Sequence, residues 1–298
     1  MNSEYNKKVK YHLLNYLRLL RVKHYIKNFI IFLPLFFDGQ LLNYDLLKTC
    51  IIGAVCFSLL SSVAYIFNDI MDKAEDTKHS EKCKRPIASG AITIARAYVV
   101  ILILFVVLSV ICYFVVYDNL FALLIFVLYI SINVFYSVKL KHIPIVDVCI
   151  LASGFFFRLL LGSVVTGIEI SSWLYLTVTC LSFFMALGKR RNEMKYETGG
   201  TRLVLHGYSY EFLDKFMYLC LTLTLIFYSL WVIIGGADIS GNNMTKATIP
   251  LAIIACMRYC LIIERSSSGD PVEVVFSDFI LKIIGVIFIG IFIAGLYV

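Results

Sequence analysis

Three aspartates at helical spacing are the residues of this chain whose types and positions most clearly suggest chemistry. Asp69, Asp72 and Asp76 follow a run of about twenty apolar residues. At roughly 100° per residue they share one helix face, with the Asn68 amide beside them. Stacked carboxylates repel one another unless a cation lies between them, and ligand sets made only of oxygen suit Mg²⁺. The spacing predicts a magnesium site on Asn68, Asp69, Asp72 and Asp76, with the aspartates as catalytic residues; a solvated acidic helix end is the alternative.

Basic residues near these aspartates could bind phosphate groups held by such a metal. Lys84 and Arg85 follow within a short loop. Similar polar groups occur near the ends of other apolar segments, and we take them as candidates for substrate binding: Lys27, Asn28, Tyr136, Lys139, Lys141, Asp147, Lys189, Arg190 and Glu193. Ordinary basic turns and helix-end anchors at a membrane surface are the alternative for the lysines and for Arg190.

Arg158 is a further candidate because it lies inside an apolar segment, eleven residues after Asp147. That separation corresponds to about 16 Å along a helix. A charge so deep in a membrane costs at least ~2.5 kcal/mol, so Arg158 should face the interior of the protein and meet an anion. The anion is either a ligand or a carboxylate of the protein itself.

The elements that position these residues are membrane helices. The 298 residues are 60% hydrophobic and 16% charged, with a mean hydropathy of +0.85, which is typical of an all-α integral membrane protein. Apolar segments long enough to cross a hydrocarbon core of about 30 Å recur along the chain. We predict nine transmembrane helices, near residues 25–42, 47–68, 95–116, 119–137, 144–165, 171–188, 213–235, 246–264 and 277–297.

The distribution of basic residues predicts the orientation. Of 27 lysines and arginines, only Lys48 and Lys246 fall in the loops at one end of the bundle; Arg158 and Lys282 lie within spans, and all the others lie at the opposite end. The positive-inside rule makes the richly basic end, with the N-terminus and the active site, cytoplasmic. We predict a cytoplasmic amphipathic segment over residues 1–24 and one catalytic transmembrane domain over 25–298. The net charge of +7 then reflects topology and anionic lipid contact, and we expect no nucleic-acid partner.

Cysteine and histidine chemistry is not indicated. Most of the nine cysteines lie within predicted spans and form no Cys-x-x-Cys pair, and the five histidines have no ligand spacing. The sequence carries no signal for an oligomeric state.

The motifs, taken in order, resemble those of the UbiA-type intramembrane prenyltransferases, and most of all one branch, the decaprenyl-phosphate phosphoribosyltransferases. The resemblance runs from about residue 18 to about 282. It comprises Asn68-Asp69-x-x-Asp72-x-x-x-Asp76, Arg21-x-x-x-Tyr25-x-Lys27-Asn28, Lys84-Arg85-Pro86, Tyr136-Ser137-x-x-Leu140-Lys141, Asp147 through Phe157-Arg158, Gly188-Lys189-Arg190-x-x-Glu193, Leu205-His206-Gly207-Tyr208, Arg258-Tyr259 and Pro271-x-Glu273. It implies a nine-helix enzyme that uses Mg²⁺ to hold a diphosphate.

One departure from the superfamily pattern is informative. Members that transfer prenyl groups usually carry a second Asp-x-x-x-Asp motif near the sixth helix, whereas this chain has Gly188-Lys189-Arg190-Arg191-Asn192-Glu193 there. The resemblance therefore implies transfer of 5-phosphoribose from phosphoribosyl pyrophosphate to a polyprenyl phosphate. The alternatives are a UbiA-type prenyltransferase acting on an aromatic or other acceptor, and a transporter or lipid carrier whose acidic motif binds a coupling ion. Against a carrier, the ionisable groups cluster at one membrane face instead of the midplane.

Overall fold

Helices make up the regular structure of the parts of the chain that the computed structural model describes. These are residues 2–79, 81–113, 119–196, 203–234, 244–265, 274–275 and 277–297, without the side chains of residues 2–10, 265 and 297. The helices are α1 (Asn2–Leu19), α2 (Leu33–Phe37), α3 (Tyr44–Met71), α4 (Lys73–Asp76), α5 (Ile94–Ile111), α6 (Leu120–Val138), α7 (Val146–Thr166), α8 (Ser172–Tyr196), α9 (Tyr210–Ile233), α10 (Thr248–Arg265) and α11 (Phe279–Tyr297). Short 3₁₀ helices join several of them, and one longer 3₁₀ helix, Val22–Phe32, precedes α2.

Eight helices in the described residues are long and apolar enough to cross a membrane: α3, α5 to α9, the segment Met244–Glu264 that contains most of α10, and α11. They correspond to the second to ninth predicted helices, and the chain is an integral membrane protein. The sixth predicted helix was too short: α8 continues past residue 188 to Tyr196. Its extra turns carry Arg190 and Arg191, whose charges are paired with carboxylates of neighbouring segments, so the helix remains stable beyond its apolar stretch.

The first predicted helix, 25–42, was wrong as a continuous α-helix. The chain forms the 3₁₀ helix Val22–Phe32 and then the five-residue α2. Pro34, near the start of α2, lacks the backbone N–H that a continuous α-helix would use to bond the Ile30 carbonyl. At ~2.0 Å per residue the 3₁₀ helix is about 22 Å long, and whether the segment crosses the membrane as a ninth span stays a prediction.

The 3₁₀ helix lies unusually close to α7. A Cβ added at Gly162 of α7 would lie 2.0 Å from the Ile31 carbonyl oxygen, so only glycine permits this approach. The contact holds the 3₁₀ helix, which carries Lys27 and Asn28, against α7.

The long helices form one bundle in which α3 packs against α5, α6 and α7, α8 against α7 and α9, and α10 against α9 and α11. Aromatic rings fill two parts of the core, one around Phe57 and Tyr129 and the other around Trp231 and Phe292. Side-chain contacts join the C-terminal ends of α3, α6 and α8 to the N-terminal end of α7, so these ends lie at the same end of the bundle. The candidate site residues are held there. The division into segments 1–24 and 25–298 stays a prediction.

Candidate active site

The aspartate cluster lies where α3 ends. Asp72 joins α3 to α4, and the N–H of Asp76 donates to the carbonyl of Asp72 at 2.8 Å, so the backbone keeps a nearly helical path through the motif. Asp69 and Asp76 consequently approach one another, as their spacing predicts. The three carboxylates are 93–98% buried. Burial is the main cause that raises the pKa of Asp76, and the negative charges of Asp69 and Asp72 add to it.

Two arginines bind Asp69 and Asp76. Arg85 Nη1 lies 3.0 Å from Asp69 Oδ1 and 2.7 Å from Asp76 Oδ2. Arg21 Nη2 lies 2.5 Å from the same Asp69 oxygen, and its guanidinium stacks 4.8 Å from the ring centre of Tyr65. Asp69 and Asp76 are therefore held by guanidinium groups that come from loops on both sides of the motif.

Asp72 has a separate set of partners. Its Oδ1 pairs with the buried ammonium of Lys141, and its Oδ2 accepts from Asn68 Nδ2 at 2.7 Å. Ser137 in turn donates to Asn68 Oδ1 at 3.1 Å. Lys141 and Asn68 thus hold the Asp72 carboxylate in place. The hydrogen bond between Ser137 and Asn68 connects α6 to the end of α3.

The donor set fits Mg²⁺ in its chemistry, since three carboxylates and an amide supply only oxygen. In the described residues no three acids, histidines or cysteines converge closely enough to hold a metal ion. The carboxylates pair with Arg21, Arg85 and Lys141. The arginine pairs use only Oδ1 of Asp69 and Oδ2 of Asp76. A bound Mg²⁺ would share these carboxylates with the basic side chains or replace some of their contacts.

Arg190 is the centre of a second buried network. Its Nε donates to Asp147 Oδ2 at 2.5 Å, its Nη1 to Glu193 Oε2 at 2.5 Å and its Nη2 to the Tyr136 hydroxyl at 3.1 Å. Arg190 and Asp147 are both fully buried. All three guanidinium nitrogens of Arg190 bind protein groups, so this geometry favours a positioning role for Arg190 and Asp147 over direct phosphate contact.

Tyr208 completes this network from the segment before α9. Its hydroxyl donates to Asp147 Oδ1 at 2.5 Å and accepts the N–H of Ile145. Ile145 has φ 68°, which is strained for a β-branched residue. Gly207 is needed for the approach of this segment, since a Cβ there would lie 2.4 Å from Cγ of Pro144.

Arg158 faces the interior, as its depth requires, but it meets no carboxylate of the described chain. Its Nε donates to Asn28 Oδ1 at 2.7 Å and its Nη1 to the Gly154 carbonyl at 2.6 Å. A structural ion pair of Arg158 is therefore not found among the described residues. Asn28 binds Arg158 from the 3₁₀ helix and is itself 97% buried.

A cavity of about 1080 Å³ extends from the aspartate end of the bundle inward to Arg158. Its lining includes the candidates Lys27, Arg85, Tyr136, Arg158, Lys189 and Glu193. A smaller adjoining cavity of about 120 Å³ shares Lys189 and Tyr136 with it and reaches Asn68, Asp72 and Asp76. The bundle therefore brings Asn68, Asp72 and Asp76 of the acidic motif and several phosphate-binding candidates to two adjoining cavities.

Seven candidates line neither cavity. Five of them are buried within the bundle: Asn28, Asp69, Lys141, Asp147 and Arg190. The other two are exposed. Lys84 is exposed and pairs with Glu81 at 2.8 Å, and Lys139 is exposed at the end of α6. Pro271 and Glu273 lie outside the described residues. Conversely, sequence reasoning did not select Arg21 and Tyr208 as site residues, although both belong to the motifs of the resemblance; Arg21 also has φ 52°, rare outside glycine.

Comparisons with known proteins identify the family. The profile described as "UbiA prenyltransferase family" matches residues 35–276. The chain belongs to the UbiA prenyltransferase family. It is a membrane enzyme of that family, as the resemblance of its motifs implies.

Similar relatives are named decaprenyl-phosphate phosphoribosyltransferase. That of Mycolicibacterium smegmatis is 30% identical over 94% of this chain and 92% of its own length, and that of Corynebacterium glutamicum is 28% identical over 95% and 86%. Among solved structures, a UbiA homologue from Archaeoglobus fulgidus, bound to GPP and Mg²⁺, superposes with a TM-score of 0.70 at 20% identity, covering 95% of this chain and 100% of that one. This likeness confirms the UbiA fold.

Proposed function

We propose that this enzyme transfers 5-phosphoribose from phosphoribosyl pyrophosphate to a polyprenyl phosphate and releases pyrophosphate. The names of its relatives support this substrate pair, since they align over nearly the whole chain. The observation that carries the proposal is the wall of the two adjoining cavities, where the basic side chains Lys27, Arg158 and Lys189 accompany a single aspartate motif. Such a wall suits substrates that carry phosphates besides one diphosphate.

The reaction needs no general base. A phosphate monoester has its second pKa near 6, so the lipid phosphate is largely a dianion at neutral pH. One of its oxygens forms a bond to the anomeric carbon while the bond from that carbon to the pyrophosphate oxygen breaks, and the electron pair leaves with pyrophosphate. The protein must bring two polyanions together and stabilise the leaving group.

The aspartate end of the cavity supplies that stabilisation. Asn68, Asp69, Asp72 and Asp76 would hold Mg²⁺, which neutralises the departing pyrophosphate when bound. Arg85 and Arg21 lie against the same carboxylates and would contact the pyrophosphate oxygens. Arg190, held by Asp147, orients Tyr136 and Glu193 at the cavity wall.

The proposed orientation has the aspartate end of the bundle in the cytoplasm. Loops at this end carry most of the basic residues of the chain. A sugar phosphate dissolved in the cytosol could then enter the cavity directly. The acceptor lipid would reach the same cavity from the bilayer, with its apolar tail between helices.

The test offers both donor classes to the purified protein in lipid nanodiscs. We expect phosphoribosyl pyrophosphate and polyprenyl phosphate to give a lipid product only when Mg²⁺ is present. Geranyl diphosphate with an aromatic acceptor should give none. Prenyl transfer to that acceptor, with no phosphoribosyl transfer, would contradict the proposal and support the other branch of the family.

A further inference from the structure

The inner end of the cavity contains one deeply buried cation. Arg158 is 96% buried and lies eleven residues beyond Asp147 on α7, or about 16 Å. Its guanidinium lies 4.7 Å from the ring centre of Phe57 on α3, and Phe57 precedes Asp69 by twelve residues, or about 18 Å. Both helices therefore indicate a separation of about 16–18 Å between the backbone at Arg158 and the aspartate end of the cavity.

The contacts of Arg158 orient its guanidinium without neutralising it. Asn28 and Gly154 supply neutral oxygens to Nε and Nη1, and the Asn28 side chain is fixed in turn by Ser58 at 2.6 Å. The rings of Phe57 and Tyr129 lie beside the guanidinium. The Tyr129 hydroxyl is a further neutral partner of the guanidinium. Because a guanidinium has five N–H donors, these three partners leave Arg158 with donors for an anion in the cavity that it lines.

The separation suits a ligand with an anionic group at each end. The Arg158 guanidinium reaches back to the Gly154 carbonyl, one turn nearer the aspartates, so the gap between the two charged ends is about 10–18 Å. Such a gap suits an extended sugar that carries phosphate groups on opposite sides. Pyrophosphate alone is much shorter than this.

We propose that Arg158, oriented by Asn28, binds the 5-phosphate of the sugar donor. This inference rests on the proposed function. The anomeric carbon lies between the two phosphate-bearing ends of the donor, so the lipid phosphate must approach the middle of the cavity. The pyrophosphate end then faces the aspartates, nearest the cytoplasmic loops, through which it can leave. Arg158 fixes the opposite end and so sets the position of the anomeric carbon.

The test separates the two ends by using half-ligands as probes. Ribose 5-phosphate carries only the inner phosphate, and pyrophosphate with Mg²⁺ represents only the outer end. Binding of each is measured by calorimetry on the full-length protein in nanodiscs, for the parental chain and for Arg158→Gln, Asn28→Ala and Arg96→Gln. Arg96 is the matched control because it is an exposed arginine at the start of α5, outside the lining of both cavities.

We expect Arg158→Gln to weaken ribose 5-phosphate about tenfold to hundredfold, the loss that corresponds to one hydrogen bond to a charged group. Asn28→Ala should weaken it less, because the guanidinium remains but is less well oriented. Pyrophosphate binding should change by less than about twofold in both, and Arg96→Gln should match the parental chain. In turnover, Arg158→Gln should raise the KM for phosphoribosyl pyrophosphate and leave that for the lipid unchanged.

Parental affinity of Arg158→Gln for ribose 5-phosphate would overturn the inference. An equal loss of both probes, or a raised KM for the lipid alone, would also overturn it, the latter by assigning Arg158 to the lipid phosphate. A parental protein that binds ribose 5-phosphate through Arg158 yet transfers nothing to the lipid would leave this subsite intact and refute the proposed function instead.

Discussion

Removing one hydroxyl group, in Tyr208→Phe, tests whether the buried network around Arg190 positions the active site. The Tyr208 hydroxyl donates to Asp147, whose other oxygen holds Arg190, and it accepts the N–H of the strained Ile145. We expect the substitution to leave the fold intact while Asp147 loses one of its two partners. Tyr208 contacts no cavity-lining group directly in these hydrogen bonds, so any kinetic effect must pass through Asp147 and Arg190.

The size of the effect follows from the bonds that are lost. A hydrogen bond to a charged group contributes ~1.5–3 kcal/mol. The N–H of Ile145 adds little to this, because Ile145 is 58% exposed and water can replace its partner. If this free energy stabilises the catalytically active arrangement of Arg190, Tyr136 and Glu193, its loss decreases catalytic efficiency about tenfold to hundredfold.

The assay is steady-state transfer with both substrates, together with thermal unfolding in detergent. We expect kcat to decrease more than either KM, since a positioning group acts on geometry and not on binding. Tyr98→Phe is the matched control, because Tyr98 is 50% exposed on α5. If Tyr208→Phe has the same kcat and the same unfolding temperature as the parental chain, the role assigned to the network is refuted.

Three further predictions concern the metal, the orientation and the 3₁₀ helix. Asp69→Asn should abolish turnover without unfolding the protein, and EDTA should do the same reversibly; full activity in EDTA would exclude the metal. In a cysteine-free background, a cysteine at the exposed Glu81 should be protected from impermeant maleimide in intact cells and one at Leu42 should react; the reverse pattern would invert the orientation. Gly162→Ala should strongly destabilise the protein in thermal unfolding, whereas Gly290→Ala, with open space around the added methyl, should not; equal effects would remove the packing argument.

Much of the fold could be predicted from the sequence because the membrane restricts the choices. Apolar length alone located the eight spans, and the aspartate spacing correctly brought Asp69 and Asp76 together. The 3₁₀ helix Val22–Phe32 could not be predicted, since its geometry depends on the close approach at Gly162, far along the chain. The end of α8 was missed because hydropathy does not register charges that are paired in the interior.

The roles of individual basic residues were less predictable than their presence. Arg190 and Lys141 looked like phosphate ligands in sequence, but each pairs with a buried aspartate. For Arg158 an ion pair within the protein was the alternative, and its hydrogen-bond partner Asn28 lies 130 residues away. Contacts between residues that are far apart in the sequence decide which basic side chains can bind substrate. The spacing of residues in the sequence carries no information about such contacts.

The most direct test of the central claim is the mass and stoichiometry of the reaction products. Purified protein with Mg²⁺, phosphoribosyl pyrophosphate and polyprenyl phosphate should release one pyrophosphate for each lipid that gains a phosphoribosyl group, and neither product should form without the lipid. Pyrophosphate release that continues without lipid, or a lipid product lacking the sugar phosphate, would contradict the account.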